Sequence, residues 1–330
     1  MSSMNTLVQR YADQVTLDLT AGTATIAGTT IEHVERRDLV TGLGSLLYEL
    51  LHVGHLVEDG LDVSAGRDAA YESDLAQRLA GHTIRQAVRV HKIGEHHGIV
   101  EHMGLRVRVP RGQLTLPPRA SDMPVTKAAL EVPVLWPALS PGFALARGPE
   151  QPTDGGPMLR LYLGATTRAD ATNVFLRVVE VLRHRTRWQA KVASQSRLYP
   201  RSDAVTIYLH LDELGAIRDI IRAARRPASH EAPGSVFTLH LAPGVRCAWE
   251  PADPRPGQGS VSFGQHRAAV LAQLLVARAE GSDVPGTTET ACESRGIDPH
   301  NVWRNLDSPE LRLLHQPVQD HPAALAGLTK

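Results

Sequence analysis

The sequence lacks several features that would assign it to a special class of protein. Its 330 residues include 2 cysteines and only 4% aromatic side chains, and no run approaches the roughly 18 apolar residues that a transmembrane helix needs. Cys247 and Cys292 cannot build a disulfide framework and show no C-x-x-C spacing. The first residues, MSSMNTLVQRYADQ, show no secretory signal pattern. We therefore predict a globular cytoplasmic protein without membrane association.

An excess of charge of one sign is also missing. The 35 basic and 35 acidic side chains cancel, and the pI is about 7.3. Because a domain that holds a nucleic-acid backbone usually carries a basic excess, we expect no nucleic-acid partner. Lysine is rare, since 31 of the 35 basic residues are arginines. A GC-rich bacterial genome explains this bias, but lysine, unlike arginine, can lose its proton in a protein.

The common catalytic motifs are absent as well. The histidine-rich segment EHHGIVEH contains no HExxH, and the spacing from His97 to Glu101 and His102 is one residue longer than the inverted zinc-protease pattern. Gly42 and Gly44 lack the third glycine of a dinucleotide fingerprint. A P-loop, a G-x-S-x-G elbow and kinase signatures are also missing. We therefore predict neither a metal site nor a nucleotide cofactor.

Hydrophobic periodicity predicts an α+β fold. In the first half it indicates a β-meander at 14–34, helices at 38–53 and 68–80, and strands at 86–93, 97–102, 105–109 and 130–135. The second half is better patterned, with strands at 158–164, 187–194, 204–210, 235–241 and 245–249 and helices at 168–185, 212–226 and 263–280. Several strands follow one another directly, which favours a mostly antiparallel sheet with helices packed on one face.

The predicted domains follow from the same patterns. Residues 1–145 form a smaller N-terminal α/β subdomain, and the Pro- and Gly-rich stretch 146–157 is a linker. Residues 158–280 form the sheet-and-helix catalytic core, and 281–330 form a tail of short helices bounded by prolines.

Four strands of the second half repeat one arrangement of side chains. Alternate residues lie on opposite faces of a strand, and in each of these strands one face is apolar. The other face carries Arg160 and Tyr162; Arg187, Gln189 and Lys191; Thr206, Tyr208 and His210; Thr238 and His240. One alternative is that this face merely contacts water, but it has almost no acidic residue. We interpret it as an anion-binding surface.

The residue types on this surface suit one kind of reaction. Arg160, Arg187 and the nearby Arg201 supply forked donors for phosphate. Like charge around Lys191 should depress the pKa of its amine, which would let it act as a base. The candidate acids are Tyr162, Tyr208, His210 and His240. A base, a phosphate clamp and an acid are what the β-elimination of phosphate from phosphoserine or phosphothreonine needs.

Five segments, in this order and spacing, resemble the HopA-type effector family: LRLY (159–162), WQAKV (188–192), YPRSDAVTIY (199–208), AWEP (248–251) and VSFGQHR (261–267). Bacterial relatives in that family act in the maturation of class V lanthipeptides and thioamitides. The resemblance implies a cofactor-free phospho-Ser/Thr lyase that works after an aminoglycoside-phosphotransferase-like kinase. Its substrate would be a phosphorylated ribosomal precursor peptide, and its product would contain dehydroalanine or dehydrobutyrine.

The resemblance also implies roles for individual residues. Lys191 matches the family's strand lysine and would be the base, while Arg201 would hold phosphate and Asp203 would orient Arg201. Arg267 begins a helix and would add a phosphate contact. For Arg201, Asp203 and Arg267 the alternative is an ion-pair network that holds loops in place. Tyr208, Arg160 and Tyr162 match other motif positions.

Two further readings of function stay open. The same basic sheet could bind a phosphopeptide or leader peptide without catalysis and activate a small kinase, in which case Lys191 would be an anion contact only. The protein could also be a host-directed effector of the type III kind.

Overall fold

In the computed structural model, the described residues are 2–56, 68–117, 126–150, 156–225, 234–257, 261–281 and 284–311. They form three antiparallel sheets with helices packed against them, which confirms the predicted α+β class. Lys330, the end of the predicted tail and part of the predicted linker lie outside these residues. Among the described residues, no helix has both the length and the apolar character needed to cross a bilayer.

The described helices include an N-terminal helix that packs on the core through Leu7 and Tyr11. Their bounds are α1 Met4–Ala12, α2 Arg36–Tyr48, α3 Ala69–Arg78, α4 Arg168–Leu182, α5 Ile217–Ala224, α6 Phe263–Ala279 and α7 Val284–Glu293. A π-helical turn, Glu49–Val53, continues α2 and ends at Gly54, whose φ of 106° is a left-handed conformation that glycine adopts readily. The predicted helix at 38–53 is thus an α-helix followed by a π-turn.

Three antiparallel sheets account for the strands. The first consists of β1 Val15–Asp18, β2 Thr23–Ile26 and β3 Thr29–Glu32. The second has the order β6-β5-β4-β8-β7, with β4 Thr83–Ile93, β5 His97–His102, β6 Leu105–Pro110, β7 Leu114–Thr115 and β8 Lys127–Pro133. The third has the order β14-β15-β11-β13-β12-β10-β9, with β9 Leu135–Ser140, β10 Phe143–Arg147, β11 Met158–Ala165, β12 Trp188–Ala193, β13 Arg201–His210, β14 Leu239–Ala242 and β15 Val245–Trp249.

The region around residue 134 connects two of these sheets. The predicted strand at 130–135 is divided between β8 and β9, which belong to different sheets. Both β9 and β10 hydrogen-bond into the large sheet, although β9 precedes the predicted linker and β10 includes its first two residues, 146 and 147. The division of the chain into four predicted parts stays a prediction.

Helices cover both faces of the large sheet. Strand β11 is buried along its whole length. Helix α4, capped by the Thr167 side chain, contacts β11, β12 and β13. On the face that carries Tyr162, the π-turn and the first residue of α6 cover the sheet. His52 contacts the Tyr162 ring edge-on, with the ring centroids 5.1 Å apart, and Phe263 packs against it at a tilt, with the centroids 6.1 Å apart. The polar face therefore contacts solvent along only part of its area.

Candidate functional site

The strand register places the polar side chains in rows across the large sheet. Lys191 of β12 lies opposite Thr206, which lies opposite Tyr162 of β11. The same row continues from Tyr162 to Arg246 of β15 and then to His240 of β14. Neighbouring strands are about 4.8 Å apart, so Lys191 and Tyr162 are separated by about 10 Å across the sheet. Arg246 and His240 lie farther along the row, and the register does not bring His240 close to Lys191. The next row contains Gln189, Tyr208 and Arg160.

The amine of Lys191 is held between two aromatic rings. Its Nζ lies 4.3 Å from the Phe143 ring centroid and 5.7 Å from that of Tyr208. Lysine and both rings are only partly buried, so the amine is within reach of a ligand. Cation–π contacts of this kind orient an ammonium group without neutralising it. Phe143 belongs to β10, and the sequence did not identify it as part of the site.

Arg201 and Asp203 form a buried ion pair next to this lysine. The Nε of Arg201 donates to Oδ1 of Asp203 at 2.7 Å, and its Nη2 donates to Oδ2 at 3.1 Å. Burial alone would raise the pKa of Asp203, but the charge and hydrogen bonds of Arg201 lower it to about 2. The Arg201 guanidinium also lies 5.2 Å from the Phe143 ring centroid. One ring therefore contacts both Arg201 and Lys191.

Simple alternation would place Arg201 and Asp203 on the apolar face, with Val205. The pairing of β11 with β13 shifts register between Leu163 and Ala165, and beyond this irregularity Arg201 reaches the ring of Phe143 on the polar face. The Asp203 carboxylate contacts Arg201 at two points, through Nε and Nη2, and the guanidinium nitrogen Nη1 lies outside this pair. The orienting role of Asp203 and the phosphate-binding role of Arg201 stay predictions.

Arg160 is also paired with a carboxylate. Its Nε and Nη2 both donate to the carboxylate of Glu250, and its guanidinium stacks 5.0 Å from the Tyr208 ring centroid. Glu250 lies just after β15, inside the AWEP segment, yet the sequence did not identify a role for it. Tyr162 is fully buried beside Arg160, and burial raises the pKa of its hydroxyl despite that positive charge. Arg160 therefore links Tyr208 to Glu250.

Arg187 and His210 lie at the other end of β13. Arg187 Nη1 is 3.2 Å from both ring nitrogens of His210 and 3.3 Å from Asp212 Oδ2, and its Nε is 3.7 Å from Glu150 Oε2. His210 is four residues along the strand from Thr206, the partner of Lys191, which corresponds to about 13 Å. The structure thus brings Arg187 and His210 together, but separately from Lys191.

Arg267 is fully buried at the start of α6. Its guanidinium donates to the backbone oxygens of Val302 at 2.7 Å and Arg304 at 3.2 Å and to Oδ1 of Asn305 at 3.0 Å. Burial lowers the pKa of this arginine to about 9. In this position it holds the 302–305 loop against α6, and a direct contact with phosphate would require that loop to move.

His52 is a further part of this site that sequence reasoning missed. The π-turn buries its ring against Tyr162, and its Nδ1 lies 2.9 Å from Ser235 Oγ. Ser202, between Arg201 and Asp203, donates its hydroxyl to the His52 carbonyl. Mainly through burial, the pKa of His52 falls to about 4, so the ring is neutral near pH 7. A lone histidine in an apolar helix gave no sequence signal for this contact.

The low pKa of His52 predicts a pH-dependent stability. The unfolded chain binds a proton to this ring below the ordinary pKa of 6.5, whereas the folded chain does so only below about 4. The free energy of unfolding should therefore fall as pH is lowered through this range, by about 3 kcal/mol from this residue. Urea unfolding at several pH values measures the effect, and His52→Gln should make the dependence shallower. A free energy of unfolding that stays level across this range would contradict the prediction.

Close packing of α6 on His52 predicts an unusual glycine effect. A Cβ atom at Gly264 would lie 2.3 Å from Cδ2 of His52. Gly264→Ala should therefore destabilise the protein by about 1–3 kcal/mol, although alanine normally favours a helix. Gly44→Ala in α2 is the matched control, because its new Cβ would meet nothing closer than the Ala269 Cα at 3.4 Å. Urea unfolding compares the two variants, and equal stabilities would contradict this packing effect.

No group of three or more His, Cys, Asp or Glu side chains in the described ranges could hold a metal ion. The candidate site consists instead of an accessible amine, aromatic rings and arginines that are paired with carboxylates. It lies within strands β10 to β15, and His52 from the N-terminal half of the chain contacts it through the Tyr162 ring.

Comparison with known proteins identifies the family. The model of the HopA1 effector protein family matches residues 135–304, just over half of the chain. The chain belongs to the HopA1 effector protein family. The HopA1-family region begins at β9 and contains every site residue named from the sequence, whereas His52 lies outside it.

Two solved structures are similar to parts of this HopA1-family chain. Both are described as effector proteins of Pseudomonas syringae, one from pv. tomato strain DC3000 and one from pv. syringae strain 61. The sequence identities are 15% and 16%, and the TM-scores are 0.40 and 0.39. Each match covers 49% of this chain and 62% of the other chain. No curated protein matches the chain.

Proposed function

We propose that this HopA1-family protein is a phosphoserine/phosphothreonine lyase in lanthipeptide or thioamitide maturation. The observation that carries the proposal is the arrangement around Phe143, where the accessible Lys191 amine and the Arg201 guanidinium contact the same ring. A base and a phosphate-binding group that contact one ring can act on the Cα and the phosphate of one substrate side chain.

The chemistry would proceed as a β-elimination. Lys191, as its neutral amine, takes the Cα proton of the phosphorylated residue. The electrons of that C–H bond form the new double bond, the Cβ–O bond breaks, and phosphate leaves with its electron pair. Arg201 stabilises the charge that develops on phosphate through Nη1, the guanidinium nitrogen that does not bond to Asp203. Tyr208, whose ring contacts Lys191, is the candidate that protonates the phosphate. The product is dehydroalanine from serine or dehydrobutyrine from threonine.

In this proposal the remaining arginines act around the reacting pair. Arg160, held by Glu250, stacks on Tyr208 and orients its ring. Arg187 and His210 lie farther along the sheet, where they could contact the peptide on either side of the phosphorylated residue. The substrate would be a precursor peptide phosphorylated by an aminoglycoside-phosphotransferase-like kinase.

Mass spectrometry tests the proposal directly. The pure protein is incubated with a phosphothreonine peptide from a kinase-treated precursor, and the product is examined for loss of phosphoric acid. We expect that loss with the wild-type protein and none when the protein is omitted. If the wild-type protein produces no loss, even with the kinase supplied separately, the lyase proposal is wrong.

A second candidate function is a non-catalytic peptide-binding partner that activates the kinase. The observation in its favour is the exposed face of the five-stranded sheet, on which five cations outnumber the two carboxylates of Glu101 and Glu131 that lie in the same rows: Arg85, Arg89, Arg106, Arg108 and Lys127. In that case the wild-type protein and the Lys191→Arg variant should raise the rate of phosphorylation equally, with no loss of phosphate from the peptide.

A further inference from the structure

A separate cleft opens on the far side of His52, between α1 and the β14–β15 hairpin. Its volume is about 430 Å³. Three of its described lining residues are basic and none is acidic: Arg10, His240 and Arg246. Serine and threonine hydroxyls line it as well, among them Ser235 and Thr238. The cleft is therefore rich in hydrogen-bond donors and lacks carboxylates, which is the lining that an anion requires.

Arg246 is the central cation of this cleft. It is partly buried, and the described residues provide it with no carboxylate partner; its hydrogen bond is to the Ser235 carbonyl at 3.4 Å. Burial lowers the pKa of its guanidinium. This differs from Arg160 and Arg201, each of which is held by a carboxylate. A partly buried cation without a counter-ion is costly, and an anion bound from solvent would compensate for it.

The neighbours of Arg246 strengthen this inference. His240 lies directly opposite it on β14, so the two side chains lie on the same face of the hairpin and can donate hydrogen bonds to one group. Gly234 makes room for the guanidinium, because a Cβ there would lie 1.7 Å from Arg246 Nε. At its inner end the cleft meets a smaller pocket lined by Tyr162 and Ser202.

We propose that this cleft is a second anion-binding site, which takes a phosphate group through Arg246, His240 and Arg10. Phosphate suits a forked guanidinium and nearby hydroxyl donors. The cleft is much larger than one phosphate ion, which leaves room for a molecule that carries the group. Arg246 lies three strands from Lys191, about 14 Å across the sheet, so the cleft is separate from the proposed reaction site and does not depend on the lyase activity.

Titration followed by NMR tests this proposal. The protein is labelled on its histidine rings, the His240 signals are assigned by their loss in His240→Asn, and inorganic phosphate is added. We expect the His240 signals to shift in a saturable manner. In Arg246→Gln the affinity should be roughly tenfold to a hundredfold weaker. Arg222→Gln, which removes an exposed arginine from α5, is the matched control and should bind as the wild type does.

Two further arms of the experiment make the outcome decisive. Gly234→Ala keeps the charge of Arg246 but displaces its side chain, and we expect weaker binding from it as well. A phosphothreonine peptide, added to the Lys191→Arg variant so that it is not consumed, shows whether the phosphate group is recognised free or on a peptide. Saturable binding of either probe supports the site. Failure of both probes to shift His240, or equal affinity in Arg246→Gln, would overturn the proposal. The Lys191→Arg variant should still bind phosphate here, which separates this test from that of the lyase activity.

Discussion

Replacement of Lys191 with arginine should lower the rate of phosphate elimination by about 10²- to 10⁴-fold, the usual contribution of a general base. Arginine keeps the positive charge and the contact with Phe143, but it does not give up its proton in a protein. Peptide binding should therefore persist while the chemical step is lost. Mass spectrometry of a phosphothreonine peptide over time measures the rate, and fluorescence anisotropy of the same peptide measures binding.

Lys127→Arg is the matched control for this experiment. Lys127 is an exposed lysine on β8 of the five-stranded sheet. Its substitution therefore also replaces a lysine with an arginine, but at a distance from the candidate site. The control should eliminate phosphate at the wild-type rate. A Lys191→Arg enzyme that is equally active would mean that the base is another group.

The Asp203→Asn variant should lose roughly 3–5 kcal/mol of stability, because the substitution leaves the buried Arg201 charge without its partner. Both side chains are almost completely buried, with at most 6% of either residue exposed, so solvent cannot compensate. The free energy of unfolding in urea measures this loss. Asp219→Asn is the control: it breaks the exposed pair with Arg222 and should change stability by less than about 1 kcal/mol.

Two additional measurements would show whether Asp203→Asn is destabilised because Arg201 loses its charge partner or because the packing around the site is disrupted. Replacing both members of the pair, Arg201→Met with Asp203→Leu, should cost less than Asp203→Asn alone, because no buried charge is left unpaired. In the wild type, the contribution of Asp203 is present above its ordinary pKa of 3.8 and is lost as pH falls through about 2. A double variant that is less stable than Asp203→Asn would contradict the interpretation.

Much of the large sheet could be predicted from local sequence patterns. Alternation along β11, β12 and β13 placed Tyr162, Lys191 and Tyr208 on a common face, and the observed register makes their strands neighbours. The same alternation failed for Arg201 and Asp203, because the register shift in the pairing of β13 with β11 interrupts the period of two. The phosphate-binding chemistry of arginine associated Arg201 with Lys191, and only the motif resemblance added Asp203.

Partners from distant parts of the chain could not be predicted in this way. Glu250 pairs with Arg160 across 90 positions, and Ser202 donates to the His52 carbonyl across 150. Phe143 precedes the predicted linker, yet it contacts both Lys191 and Arg201. Nothing in the local pattern of any of these residues distinguishes them from ordinary surface or core positions.

The charges of this protein are likewise determined partly by the sequence and partly by the tertiary structure. Composition shows that the chain is neutral and has few lysines, and the order of residues shows none of the common cofactor motifs. The alternation of side chains along each strand predicted which of them share a face. The tertiary structure decided which arginines have internal charge partners: Arg160 and Arg201 are paired with carboxylates, whereas Arg246 has no carboxylate partner among the described residues. The alternation of side chains between the two faces of a strand follows from the local geometry of the extended backbone, so it can be predicted from the sequence. The pairing of charged side chains depends instead on which strands and helices meet in space.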